Sequence, residues 1–443
     1  MAASFLRDVV AGAVVLGILV LVHEWGHFIV AKLCGVRVEV FSIGFGRRLA
    51  GVKHGDTDYR ISALPLGGYV RMSGDNPVEE RTGAPYEFLS RPRWQRFLIA
   101  VAGPASNILA AFLILWGIFA FAGMPEEAIF RQPADVVAVP ETYAGTSPIR
   151  PGDRIVEVNG APTPTWDDVS AQLANVKPGQ TVSLAVLRAG AKETFSLTIP
   201  QAQSSSDEGI VGYPLIPPVI GEVSPSSPAE KAGLKAGDTV ASVNGQPVVT
   251  WPQLVSQIRG SGGRPVEFLV RRDGRDVRLD ITPMQSMTPD GEMVWMIGAS
   301  DDAKEVYVRQ GLVASLEDAW DRTLRTVRSI GTVFTALFSG KLSVRDVAGP
   351  VGIVQLSGHA AQGGLLSLLE WMAFISLNLG LMNLLPIPIL DGGHVLMLAI
   401  EGVLRRDMSV TFKERFVQVG LVFLLGLFAF VMYSDLLRLF QRH

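Results

Sequence analysis

The chain has 443 residues, of which 48% are hydrophobic and only 18% charged, against about 25% charged in an ordinary globular chain. The deficit must lie in long uncharged runs, which excludes a largely disordered chain and argues against an ordinary soluble one. With 39 basic and 42 acidic residues the formal net charge is −3, so no polycationic surface is on offer and no nucleic-acid partner is expected.

The first apolar run, Val9 to Ala31, is long enough to cross a bilayer but is interrupted by His23, Glu24 and His27. A cleaved signal peptide is the competing reading, yet Arg7 alone makes a weak positive n-region, and no small-residue cleavage site precedes the charged cluster. His23-Glu24-Trp25-Gly26-His27 has the form H-E-x-x-H. On a helix that spacing sets two imidazoles one turn apart on one face with a carboxylate beside them, so two zinc ligands and a general base are presented together. In a soluble helix the same pattern is often an ordinary charged cluster. Within a span, ionisable groups are expensive, about 2.5–3.5 kcal/mol for an Asp, Lys or Arg on insertion scales, and persist mainly where they have a function or a partner.

After this span, Val36 to Ile43 alternates apolar and polar residues, and Tyr59 to Val70 resumes strand character beyond a polar turn at Lys53 to Asp58. The pattern predicts a β-hairpin, and Cys34 just before it is the only cysteine, which excludes an internal disulfide framework. Phe97 to Pro125 contains no charged residue or histidine and predicts a second span. Lys32, Arg37, Arg47, Arg48, Lys53, Arg60, Arg71, Arg81, Arg91, Arg93 and Arg96 lie between these two spans, and Arg405, Arg406, Lys413 and Arg415 lie between the last two of the four apolar runs. Both basic loops are therefore expected on the cytoplasmic side, which puts the large central region and both termini outside.

The central region repeats itself. Pro151-Gly152-Asp153-Arg154-Ile155-Val156-Glu157-Val158-Asn159-Gly160 recurs as Ala236-Gly237-Asp238-Thr239-Val240-Ala241-Ser242-Val243-Asn244-Gly245, and Trp166 recurs at the same offset as Trp251. Each copy predicts a strand ending in an Asn-Gly turn, then an amphipathic helix (Trp166 to Ala174, Trp251 to Ile258), then strands at Val182 to Leu187 and Val266 to Val270 leading to turns at Gly190 and Gly274. The repeats resemble circularly permuted PDZ domains of bacterial proteases. The second is the fuller match, with Ser227-Pro228-Ala229-Glu230-Lys231-Ala232-Gly233-Leu234 before its Gly-Asp, where the first has only Thr146-Ser147-Pro148-Ile149-Arg150. Such domains bind peptides by strand addition or act only as spacers and filters.

Leu312, Leu316, Trp320, Leu324, Val327 and Phe334 form an amphipathic pattern between Gly311 and Ser339, which predicts a helix lying on the outer membrane face. Uncharged runs from Trp371 to Leu390 and from Phe416 to Ser434 predict two further spans. The third ends in Asn383-Leu384-Leu385-Pro386-Ile387-Pro388-Ile389-Leu390-Asp391-Gly392-Gly393-His394, where two prolines break the helix. Among the polar groups near membrane depth, Asp391 is favoured over His394 as a third metal ligand. The alternative is that Asp391 merely caps a helix starting at Gly392.

H-E-x-x-H in the first span, Leu390-Asp391-Gly392 after the third and PDZ-like repeats between the second and third resemble the site-2 protease family of intramembrane zinc metalloproteases over essentially the whole chain. The resemblance implies that His23, His27 and Asp391 hold Zn2+ and that Glu24 is the general base. It implies substrate contacts from Asn378 and Asn383, an extended segment kept by Pro386 and Pro388, and a membrane-associated hairpin, with Gly67 and Gly68, that receives an unwound substrate as an added strand.

The expected architecture is a polytopic α-helical membrane protein with four transmembrane helices, two inserted β-rich PDZ-like domains and a membrane-associated β-hairpin. Its segments are a first span over 1–33, the hairpin loop over 34–96, a second span over 97–125, repeats over 126–202 and 210–286, an amphipathic linker over 287–366, a third span over 367–395 and a fourth over 416–436. The expected protein lies in the cell inner membrane, with its active site near the cytoplasmic side and the repeats in the periplasm. A single-span membrane protein is the expected substrate, the lipid bilayer a second partner, and a peptide or protein ligand of the PDZ-like domains a third. A membrane-anchored PDZ scaffold with a non-catalytic metal site is the alternative. A metal transporter fits less well, because one Glu and one Asp in four spans provide few relay groups.

Overall fold

A computed structural model describes residues 2–75, 82–139, 147–173, 176–177, 179–199, 211–212, 214–224, 227–288, 293–302, 305–309, 311–340 and 349–440. Arg81, Thr146 and Ala174, named in the sequence analysis, lie outside them. The chain forms two compact units: Met1–Met124 with Arg309–His443, and Pro125–Val308. Among the described residues, four helices are long and apolar enough to cross a membrane, at Leu6–Leu33, Arg93–Ala122, Leu365–Asn383 and Val410–Tyr433.

In the first unit, α1 (Ala2–Leu33) carries the H-E-x-x-H residues and leads into strands β1 (Val38–His54) and β2 (Thr57–Met72). These strands are longer than the alternation predicts, because the pair folds back on itself. Residues 40–43 of β1 lie between residues 68–71 and residues 58–61 of β2, while residues 50–54 of β1 pair with residues 57–61 of β2. One end of this small sheet is thus the edge formed by residues 68–72. Paired residues point to the same face, so Phe41, Tyr59 and Val70 share one and pack with Phe28, Ala31, Val36, Val38 and Ile99. Ile43, Ile61 and Val52 continue that apolar face where it is exposed. Helix α2 (Arg93–Gly117) passes Pro104 without ending and runs into a π-turn at Ile118–Ala122, so the second span is not one uniform helix over 97–125.

The second unit contains both repeats, each built the same way. In the first, strands run in the order Ala161–Pro162, Arg154–Val158, Thr181–Arg188, Ala191–Thr198, with helix α3 (Trp166–Leu173). In the second, the order is Gln246–Pro247, Thr239–Val243, Val266–Arg272, Arg275–Ile281, with α4 (Pro228–Lys231) capped by Ser227 and α5 (Trp251–Gly260). Asn159 and Gly160 both have positive φ, as do Asn244 and Gly245, which is the backbone that makes Asn-Gly the preferred two-residue turn. Each repeat closes its own core, around Ile155, Val158, Trp166, Val182 and Leu184 in the first and Val240, Val243, Leu254, Phe268 and Ile281 in the second.

A further correspondence escaped the sequence reading. The Asp of each Gly-Asp pair is buried and held by an arginine at the end of the third strand: Arg188 Nη2 lies 2.8 Å from Asp153 Oδ2, and Arg272 Nη2 lies 2.7 Å from Asp238 Oδ2. Burial by itself pushes these carboxyls up, but the guanidiniums and the backbone N–H groups of Arg150 and Lys235 outweigh it and hold both below the usual aspartate range. The second repeat also extends past residue 286. Ala299–Asp301 pairs with Ile220–Val223, and Met284–Met287 pairs with Met293–Met296, so residues 287–308 are not the amphipathic linker expected there. A strand pairing across some 75 residues leaves no local pattern to read.

The first unit resumes with α6 (Leu312–Phe338), the expected amphipathic helix, and α7 (Pro350–Gln362). Helix α8 (Leu365–Asn383) then packs against α2, with the Ser376 hydroxyl donating to the Asn107 carbonyl at 2.7 Å. The third apolar run is not one helix over 367–395. It breaks after Asn383 and restarts as α9 (Asp391–Leu404), because Pro386 and Pro388 cannot continue the ladder. Helix α10 (Val410–Phe440) follows, longer than the 416–436 expected and with most of its large apolar side chains exposed.

Candidate metal centre

The centre is assembled by α1, α2 and the start of α9. His23 and His27 stand one turn apart on α1, both buried, with their Nε2 atoms 3.2 Å from each other. The Asp391 carboxylate meets both: Oδ2 is 3.0 Å from His23 Nε2 and Oδ1 is 3.4 Å from His27 Nε2. Donor atoms of the three residues all lie within 4.8 Å of one another. Asp391 is the first residue of α9, and Leu390 occupies the N-cap position without a side-chain cap, so Asp391 is turned to the histidines rather than spent on capping.

The surroundings orient the rings. His27 Nδ1 lies 2.7 Å from the Ile99 carbonyl, which can only accept, so Nδ1 carries the proton and Nε2 of the neutral ring presents a lone pair. His23 Nδ1 lies 3.3 Å from the Asn107 side-chain amide, whose Oδ1 is buried without a hydrogen-bond partner. The two ends of that amide have nearly the same shape. With Oδ1 turned to accept from Nδ1, the orphaned atom is satisfied and His23 Nε2 is also freed as a lone pair. Two imidazole lone pairs and a carboxylate aimed at one point repel each other unless a cation sits between them, and two N donors with one O donor suit zinc with an open position. The residues present fit that metal.

Close helix packing permits this geometry. A Cβ on Gly103 of α2 would fall 2.2 Å from His27 Nε2, and one on Gly26 of α1 would fall 2.4 Å from the Ala102 carbonyl, so the two helices approach with backbone against backbone at the site.

Glu24 stands beside the ligands, and its Oε2 accepts the Val70 N–H at 3.0 Å. Val70 belongs to the edge residues 68–72, so the carboxylate bridges the site and the sheet. Gly68 lies against the Glu24 stem and Gly67, with φ of +110°, against Val20. A cavity of about 580 Å³ opens here, lined by His23, Glu24, His27, Tyr69, Asn383 and Asp391 among others.

Asn383 reaches the centre, 3.5 Å from His23 Nδ1, whereas Asn378 donates to the Phe374 carbonyl of its own helix. Pro386 and Pro388 lie in the break between α8 and α9. There Ile389 holds φ of +83°, a conformation a β-branched residue avoids unless its neighbours impose it. Sequence reasoning missed Ile99, Gly103, Asn107 and Val70. Only Asn107 leaves a signal, as the one side-chain amide in the uncharged run from Phe97 to Pro125.

Comparison with known proteins agrees with this chemistry. The description "Peptidase family M50" matches residues 11–427. The regulator of sigma-E protease RseP of Salmonella typhimurium is 33% identical over 455 positions, covering 98% of this chain and all of that protein. RseP of Escherichia coli is 32% identical with the same coverage, and the regulator of sigma E protease of Haemophilus influenzae is 32% identical over 461 positions. The chain belongs to peptidase family M50, the zinc-dependent metalloendopeptidases of the site-2 type.

Proposed function

We propose that this M50 peptidase hydrolyses a peptide bond within the transmembrane segment of a single-span membrane protein, with His23, His27 and Asp391 as zinc ligands and Glu24 as general base. The observation that carries the reading is the convergence of the three ligand groups within 4.8 Å with Glu24 alongside. When bound by these three residues, zinc would supply Lewis-acid chemistry toward a water and a carbonyl oxygen. Glu24 takes the proton from the attacking water and delivers it to the leaving amine nitrogen. The Val70 N–H holds the carboxylate in place for both transfers.

A substrate helix hides its peptide bonds and must be held extended to be cut. The edge residues 68–72, with Gly67 and Gly68 allowing close approach, receive it as an added strand beside Glu24. Asn383 contacts it from the end of α8, Asn378 from one turn earlier, and Pro386 and Pro388 keep the opposite wall extended. The exposed apolar face of the hairpin, with Ile43, Ile61 and Val52, supports its contact with the membrane. The protein then lies in the cell inner membrane with the centre near the cytoplasmic side, and the two repeats, read as PDZ-like domains, lie in the periplasm and bind or exclude a peptide or protein ligand. The relatives named as regulators of sigma-E protease favour regulated intramembrane proteolysis, with an anti-sigma factor or a remnant signal peptide as substrate.

The test is cleavage of a helix-destabilised single-span reporter by the purified chain in detergent, with fragments read by mass spectrometry. A cut inside the span that vanishes in Glu24→Gln while zinc stays bound is the expected result. Equal cleavage by the variant would overturn the assignment of Glu24, and a cut confined to soluble flanking sequence would overturn the substrate class.

A further inference from the structure

Away from the metal centre, the first unit buries a cluster of charges that the hydrolytic reading does not use. Glu401 is 1% exposed, near the end of α9. Its Oε1 lies 2.7 Å from Lys413 Nζ on α10 and accepts the Met408 N–H at 3.0 Å, while its Oε2 lies 3.8 Å from Arg96 Nη2 on α2. Arg96 is itself buried and reaches Asp407 at 3.6 Å. Glu401 thus faces two cations, Lys413 and Arg96, and Arg96 faces two carboxylates, Glu401 and Asp407, while Glu401 Oε2 and Arg96 Nε make no hydrogen bond among the described residues. Removing one member of such a buried set strands the others.

The position of the cluster gives it a use. Asp391 opens α9, and Glu401 follows ten residues later on the same rigid helix, about 15 Å along its axis. Arg96 lies one turn before Ile99, the residue whose carbonyl orients His27. The break between Asn383 and Asp391 means that α9 does not continue the hydrogen-bond ladder of α8, so its contacts with other helices also bear on where it sits. We infer that Glu401 is a positioning residue that ties α9 to α2 through Arg96 and to α10 through Lys413 and thereby holds the Asp391 carboxylate at the distance His23 and His27 require. This inference rests on the reading of those three residues as the zinc ligands.

The experiment measures zinc release from the purified full chain into excess chelator, with melting followed separately. Groups that hold metal ligands in place typically change affinity about 10- to 100-fold when removed. Glu401→Gln is expected to shorten the zinc half-life at least about tenfold, Glu401→Asp to recover most of it, and Lys413→Met to add little in the Glu401→Gln background because both act through one contact. Ile330→Ala on α6 is the comparator, expected to lower the melting temperature while zinc release stays native. A native half-life in Glu401→Gln overturns the inference. So does an equal shortening in Ile330→Ala, which would mark the effect as general loosening. If the native chain holds no more zinc than His23→Ala, the ligand assignment itself falls, an outcome distinct from the other two.

Discussion

The Val70 amide donates to Glu24 Oε2 at 3.0 Å, so one hydrogen bond joins the proposed base to the open edge of the hairpin sheet. Because this N–H points away from the ladder, proline can replace valine without breaking strand pairing. A hydrogen bond to a charged group contributes about 1.5–3 kcal/mol, equivalent to roughly 10- to 100-fold in rate. Val70→Pro is therefore expected to lower kcat by that factor with zinc content unchanged, as read by reporter kinetics and metal analysis. An unaltered kcat would show that the bond does not steer Glu24.

Gly103 and Gly117 lie on the same helix and should respond oppositely to alanine. A Cβ at Gly103 collides with His27 Nε2, whereas one at Gly117 meets nothing within 4 Å. Gly103→Ala should expel zinc, and Gly117→Ala should be neutral or stabilising by about 0.4–1 kcal/mol through the unfolded chain. Elemental analysis and thermal melting of the two variants settle the matter, and full zinc content in Gly103→Ala would refute the close approach.

Asn107 supports the centre from α2 without touching a substrate. Asn107→Ala removes the acceptor for His23 Nδ1 and should weaken zinc binding about 10- to 100-fold, in the range found for groups that orient metal-bound histidines. Competition with a chelator of known affinity measures this directly. An unchanged affinity would mean that the His23 ring is oriented by other contacts.

The second unit carries the predictable acid sensitivity. Asp153 and Asp238 have folded-state pKa values below their unfolded ones, so their ion pairs contribute fully above the ordinary carboxylate range near about pH 3.9 and are lost as pH falls from there through the lowered values. Hydrogen exchange over residues 239–281 of the full chain, corrected for the intrinsic exchange rate at each pH, should accelerate on acidification below that range. Asp238→Asn should accelerate it already at neutral pH, by an amount equivalent to about 3 kcal/mol for a broken buried pair. Exchange in the variant equal to native at pH 7 would sink the assignment.

The sequence by itself determined the elements whose cause is local or periodic. Apolar runs of about bilayer length, the first carrying the charged cluster, dictate the four apolar helices, a duplicated Gly-Asp and Asn-Gly pattern dictates the two repeats, and H-E-x-x-H puts His23 and His27 on one helical face with Glu24 beside them because four residues make about one turn. Two prolines before Asp391 announce the break that frees a new helix to begin there. What only the tertiary structure decided involves partners far apart in the chain: Asp391 meeting His23, Arg188 and Arg272 finding their aspartates, the strand at Ala299–Asp301 returning to Ile220–Val223, and Val70 reaching Glu24. The physical reason is that periodicity records which face of an element is buried, whereas the register of one element on another is set by close packing and individual hydrogen bonds, which leave no repeating trace along the chain.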